Sequence, residues 1–171
     1  MSGFRLVLAV LLSLLAQISV VPRIAILGIQ PDVTVLLLVL LAMRRGPVTG
    51  TLVGFGLGLL QDLLVPERLG MNMLAKSVTG YALGRLGGGL FVGGPGLQVA
   101  LMGFSVLLHD LIFLLALTGL DLPQVFRVFF LDSVPTAIYT AFLGGVILVV
   151  AMALGGGRLF APSKGDSRAS R

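Results

Sequence analysis

Four ionisable side chains sit inside otherwise apolar stretches and are the groups that chemistry would need: Asp62, Lys76, His109 and Asp110. Such a group at the centre of a membrane helix costs at least ~2.5 kcal/mol on insertion scales, so each requires a partner or a task. Asp62 lies one turn before the short turn Pro66-Glu67-Arg68-Leu69-Gly70, and Lys76 lies about two turns into the following segment, with Asn72 between them. A Lys76–Asp62 pair that pins this hairpin is the economical arrangement, and Asp110 is the alternative partner. His109 and Asp110 are neighbours in sequence, so their side chains should point ~100° apart and form no relay by themselves. A proton path would need a further carboxylate at matching depth, a role for which Asp62 is the candidate. The sequence holds no Ser/His/Asp set at a plausible depth and no His-Glu-x-x-His, and its single histidine cannot build a zinc site. With no cysteine there is also no thiolate nucleophile and no disulfide. No catalytic residue, metal or cofactor is therefore expected. Structural packing is the preferred role for the polar residues, ahead of ion coupling.

The elements that must position these residues are membrane helices. The chain is 57% hydrophobic and 11% charged, with a mean hydropathy of +1.09, whereas a soluble domain carries about a quarter charged residues. An all-α, polytopic architecture with six spans follows, at about 4–21, 24–43, 48–64, 71–86, 97–117 and 134–154. Residues 120–132 read as an amphipathic segment lying in the interface plane. They bring the transmembrane domain to 1–160, and 161–171 form a disordered basic tail. The net charge of +5 is scattered over segment ends, which speaks for membrane topology and against nucleic acid. Inner segments hold eight basic residues (Arg5, Arg44, Arg45, Arg85, Arg158, Lys164, Arg168, Arg171) and outer ones three (Arg23, Arg68, Arg127), which places both termini in the cytoplasm.

The second span is unusual. Pro31 and Asp32 suit a helix start, yet the twelve residues from Asp32 to Met43 reach only ~18 Å at 1.5 Å per residue. Residues 24–30 should therefore dip into the membrane ahead of that helix. Broken segments of this kind mark binding sites in transporters, although shielding of the break by neighbouring helices is the preferred reading. Gly87-Gly88-Gly89 and Gly93-Gly94-Pro95-Gly96 should loosen the chain. They form no phosphate cradle, since no Gly-Lys-Ser/Thr follows.

Small residues recur at four-residue spacing. Gly50, Gly54 and Gly58 line one helix, Gly80, Gly84 and Gly88 the next, and the last span carries Thr136/Thr140/Gly144 and Ser133/Ala137/Ala141/Gly145. Residues four apart share a helix face, so each ladder lets another backbone approach closely. The ladders exceed what a small monomer requires, which predicts contact with a partner's transmembrane helix or a second copy of the chain. Arg44, Arg45 and the basic tail can meet anionic lipid headgroups.

Three strings together, Gly54-Phe55-x-x-Gly58-Leu59-Leu60-x-Asp62, Leu69-Gly70-x-Asn72-x-Leu74 and Gly80-Tyr81-x-x-Gly84, resemble the central signature of the rod shape-determining protein MreD family. Gln30-Pro31-Asp32 before a leucine-rich run also fits, as do the length and the six spans. The resemblance implies a non-enzymatic component of the bacterial inner membrane that acts in cell elongation. Its implied partners are MreC and, in the wider assembly, MreB filaments, RodA and a class B penicillin-binding transpeptidase. It further implies a fold that resembles the substrate-binding components of energy-coupling-factor transporters. Asp62, Gly70, Asn72 and Gly80 are the positions that match the pattern, whereas Lys76, His109 and Asp110 lie outside it. The competing reading is a small-molecule or ion carrier built around the broken second span and the intramembrane charges.

Overall fold

The computed structural model describes residues 3–90 and 94–154. Within them the chain is helical: α1 (Gly3–Ser19), a 3-10 turn (Val21–Ile24), α2 (Val33–Arg45), α3 (Pro47–Leu64), a second 3-10 turn (Pro66–Arg68), α4 (Met71–Leu90), α5 (Pro95–Thr118), α6 (Leu122–Val128) and α7 (Val134–Ala153). The basic tail and Gly155–Gly157 lie outside the described residues. Among the described residues, three stretches are long and apolar enough to cross a membrane, namely α3, α5 and the run Leu122–Ala153.

The organising element is α2. At 13 residues it reaches ~20 Å, and it packs against α1, α3, α4, α5 and α7. Thr34, Val35, Leu36, Leu38, Val39, Leu41, Ala42 and Met43 are all buried, so the helix has hardly any outward face. A helix enclosed on all sides need not cross the bilayer by itself, because its ends are covered by protein rather than lipid. The chain reaches its start through a tight connection. Ile26 and Ile29 pair across a two-residue turn, and Pro31 and Asp32 then begin the helix.

Around α2, the most extensive contact is between α3 and α4. Lipid offers no hydrophobic drive for helices to associate, so close backbone packing has to hold such a pair. The glycine ladders provide it by facing each other. A Cβ at Gly50 would overlap the Gly80 carbonyl, one at Gly54 the Lys76 carbonyl, one at Gly58 the backbone of Met73, and one at Gly84 that of Pro47. The ladders of α3 and α4 are thus filled by this one chain, and the expected surplus for a partner is not found there. On α7, Gly144 meets Met102 and Leu36, and Ala137 and Ala141 meet Gly103 of α5, whereas Ala141 and Gly145 also line an apolar groove of about 520 Å³ with Pro95, Val99 and Phe142.

Two expected boundaries shift. Helix α4 does not loosen at Gly87 but runs on to Leu90, because Gly87 packs against the backbone of Met43 and so has a neighbour that keeps it helical. The amphipathic segment is helical but not separate. A single π turn (Phe129–Ser133) joins α6 to α7, giving one helix of 32 residues from Leu122 to Ala153. Leucine, isoleucine and phenylalanine side chains on α1 and α7, Phe4, Ile138 and Phe142 among them, stand exposed as lipid-facing residues do.

Candidate functional site: a polar cluster joining six helices

Two hydrogen-bonded knots sit near the end of the bundle that carries the 66–68 turn. The first is built on Asp62, which is fully buried in the last turn of α3. Its carboxylate accepts from the backbone N–H of Gly70 (2.9 Å), Asn72 (3.1 Å) and Met73 (3.0 Å), and from Asn72 Nδ2 (2.9 Å). The first N–H groups of a helix have no intrahelical acceptor, so Asp62 caps α4 from the neighbouring helix. Gly70 turns the chain into that position at φ +92, a left-handed conformation that favours glycine. Three of the four positions carried over from the resemblance therefore make one knot, and the fourth, Gly80, faces Gly50 in the ladder.

The second knot corrects the expected Lys76 pairing. Lys76 bonds neither Asp62 nor Asp110; its Nζ lies 3.2 Å from Asp32 Oδ2 and 3.3 Å from His109 Nε2. Asp62 is unavailable because four donors already fill it. Asp32 is available because α2 is short, so that its N-terminal carboxylate is set at the level of Lys76 rather than at the end of the bundle. Asp32 also caps its own helix, with Oδ1 accepting from Val35 N–H (2.9 Å) and Thr34 Oγ1 (2.6 Å). Its own N–H donates to Thr140 Oγ1 (2.9 Å). Gln61 Nε2 reaches Thr34 Oγ1 (3.3 Å). Gln17 clasps the same start of α2, accepting from Val33 N–H (2.8 Å) and donating to the Pro31 carbonyl (3.2 Å). Six helices thus contribute at least one residue each: Gln17 from α1, Thr34 from α2, Gln61 from α3, Lys76 from α4, His109 from α5 and Thr140 from α7.

The expectation that His109 and Asp110 do not meet is also overturned. His109 Nδ1 and Asp110 Oδ1 are 2.9 Å apart. The ~100° between neighbouring Cα–Cβ directions is bridged because the imidazole is long and its Nδ1 edge turns back toward the next residue. With Lys76 charged, the two ring contacts together select one tautomer. A protonated lysine has donors only, so His109 Nε2 must accept from Lys76, leaving Nδ1 to carry the proton and donate to Asp110. The imidazole is neutral in that arrangement, and Phe113, whose ring stacks on it with centroids 6.1 Å apart, covers one face. The Arg68 guanidinium lies over Phe113 in turn, 5.9 Å from the ring centroid. Lys76 is 0% exposed, while the Asp110 side chain is 21% and the Asp32 side chain 18% exposed.

Such an arrangement can hold helices in register and can hold a proton. Among the described residues no group of His, Cys, Asp and Glu is placed to hold a metal. Sequence reasoning missed Gln17, Asp32, Thr34, Gln61 and Thr140 as members of the cluster. One signal pointed to Asp32: a second span too short to reach both faces brings its capping residue into the bilayer, next to an unpartnered lysine.

No curated protein and no solved structure matches the chain. A family model does, that of the rod shape-determining protein MreD, over residues 2–154, and the chain belongs to that family.

Proposed function

We propose that this membrane protein is a non-enzymatic scaffold of the rod-shape machinery in the bacterial inner membrane. In this reading both termini face the cytoplasm, and the chain binds MreC and helps to link MreB filaments to peptidoglycan synthesis. RodA and a class B penicillin-binding transpeptidase belong to the wider assembly. The same reading extends to the fold, in which α1 to α5 and α7 would follow the arrangement of the substrate-binding components of energy-coupling-factor transporters.

Beyond family membership, one observation carries the scaffold reading: the charges inside the helices are engaged with one another. Asp62 is filled by α4 donors, and Asp32, Lys76, His109 and Asp110 form one connected set. A body whose polar residues lock it internally suits rigid display of its surfaces to partners. Because the α3 and α4 ladders are filled from within, the partner must engage other faces. The test is mild purification from native membranes with mass spectrometry of what is retained. A stoichiometric single-span protein of MreC type supports the reading, and a chain that emerges alone with a bound small molecule overturns it.

A carrier is the second reading, favoured by the N-terminus of the short α2 pointing at a charged cluster, as in discontinuous transporter helices. Uptake of an ion or small molecule by liposomes containing the purified chain, abolished by Lys76→Met, would support it.

A further inference from the structure

His109 is the chain's single histidine, and the polar cluster holds it in a form with no place for a second proton. Its Nε2 accepts from the Lys76 ammonium at 3.3 Å, and its Nδ1 donates to Asp110 at 2.9 Å. An imidazolium would donate from both nitrogens. Its Nε2–H would then meet the N–H groups of Lys76, donor against donor and cation against cation, beside a lysine that is 0% exposed. The ring is not free to turn that edge away. The Asp110 bond holds one side of it, and Phe113, stacked at 6.1 Å, covers a face.

The other charges around α5 do not relieve this conflict. From α4 the imidazole faces Lys76, from α2 it faces Asp32 across that ammonium, and on its own helix it faces Asp110. Arg68 of the 66–68 turn lies over Phe113, 5.9 Å from the ring centroid. Helix α6 and the π turn also pack on α5, but Asp121, Arg127 and Asp132 there are exposed. Helix α7 carries no charged residue, and its Tyr139 hydroxyl is engaged with the Ile24 carbonyl. The contact with Lys76 therefore decides whether Nε2 takes a proton.

We propose that His109 is an acid-operated release of the α4–α5 contact. A proton arriving at Nε2 ends the hydrogen bond from Lys76. The ammonium stays with Asp32 and the imidazolium with Asp110, so α5 parts from α4 at this level. The proton enters beside Asp110, whose side chain is 21% exposed. The closed form takes no proton at Nε2, whereas an opened form takes one near the ordinary histidine value of ~pH 6.5. Acid thus favours opening. The contact is whole above ~pH 6.5, and below it the equilibrium moves toward opening by up to about tenfold per pH unit. Carboxylates titrate near ~pH 4, so the change between ~pH 6.5 and ~pH 4.5 belongs to His109. A rigid scaffold requires only the locked form, and this release adds a condition under which it yields.

The test follows the full chain in detergent micelles from ~pH 7 down to ~pH 4.5. The unfolding constant from denaturant titration should rise by up to about tenfold per pH unit below ~pH 6.5. Because the chain has no cysteine, spin labels at Leu74→Cys on α4 and Leu111→Cys on α5, both exposed positions, report where it opens. Their separation should lengthen reversibly in acid before the chain unfolds. His109→Gln keeps an acceptor for Lys76 but does not titrate, and should remove both effects. Lys76→Met combined with Asp32→Asn takes away the ammonium and should flatten the pH dependence. Should that double variant keep the wild-type slope, burial of the imidazole alone sets it and the release at Lys76 is overturned, even where His109→Gln does not fold. A flat wild-type profile, a wild-type slope in His109→Gln, or labels that hold one distance until the chain unfolds would overturn it as well. None of these outcomes bears on partner binding, so the scaffold reading stands or falls separately.

Discussion

Lys76 Nζ sits 3.2 Å from Asp32 Oδ2, and this contact ties the second turn of α4 to the capped start of the enclosed α2. It explains two features at once. A lysine at that depth is tolerated because both its neighbours are acceptors, and a helix too short to span is tolerated because its first turn is anchored by side chains from α1, α4 and α7.

Breaking the pair from one side should be costly. Lys76→Met leaves the Asp32 carboxylate uncompensated, and removal of one member of a buried pair costs about 3–5 kcal/mol. The partial exposure of Asp32 places the expected loss at the lower end of that range. Lys76→Met combined with Asp32→Asn removes both charges and should recover most of it, since an apolar or neutral replacement of a whole buried pair is often nearly neutral. Denaturant titration of the four species in detergent, read as a double-mutant cycle, checks this.

Asp62→Ala should unfasten the start of α4. It strands the half-buried N–H groups of Gly70, Asn72 and Met73, for a loss of about 1–2 kcal/mol. Asp62→Asn keeps acceptor capacity but gives up the negative charge at the positive helix end, so it should fall between wild type and the alanine variant. Hydrogen exchange at the amides of residues 72 and 73 should accelerate in both variants while amides late in α4 stay protected.

The glycine contacts predict a graded series across α3 and α4. Gly54→Ala places a methyl group into the Lys76 carbonyl, so α3 and α4 must separate and the hairpin loosens. Gly80→Ala acts from the other side, against Gly50. Gly56→Ala meets open space and should be neutral or stabilising by a few tenths to about 1 kcal/mol, as for Gly to Ala in an exposed helix. The measurement is the yield and melting temperature of the chain produced without partners. Equal stability of the Gly54→Ala and Gly56→Ala variants would mean that the ladders do not carry the hairpin.

How far the sequence disclosed this arrangement differs from residue to residue. Helix number and the hairpin were legible because apolar runs, Gly spacing and the Pro66–Gly70 turn are local signals. The roles of Gly50, Gly54, Gly58, Gly80 and Gly84 were legible as close packing, but not their mutual pairing, since spacing marks a face without saying what covers it. The polar cluster was half legible. Lys76, His109 and Asp110 stand out against apolar neighbours, whereas Asp32 is 44 residues from Lys76 and resembles an ordinary helix cap. Thr140, 108 residues from Asp32, reads as one more small residue in a ladder. Only the depth at which the short α2 begins brings them together.

The tautomer of His109 is open to direct measurement. Its Nε2 faces an ammonium at 3.3 Å and its Nδ1 a carboxylate at 2.9 Å. A proton on Nε2 would set a donor against Lys76, which has no lone pair to offer while it is charged, and would leave Asp110 facing an unprotonated nitrogen. Nitrogen-15 spectra of histidine-labelled protein in bilayers at neutral pH should therefore show a protonated Nδ1 and an unprotonated Nε2. Lys76→Met removes the reason for this choice without touching Asp110, so the signal should stay with Nδ1–H but broaden or shift at Nε2. His109→Leu removes both contacts and should cost about 1–3 kcal/mol, the usual loss when a buried polar partner is left unsatisfied. A wild-type spectrum with the proton on Nε2 would require a neutral Lys76, and the ion pair with Asp32 would then have to be redrawn as a neutral hydrogen bond.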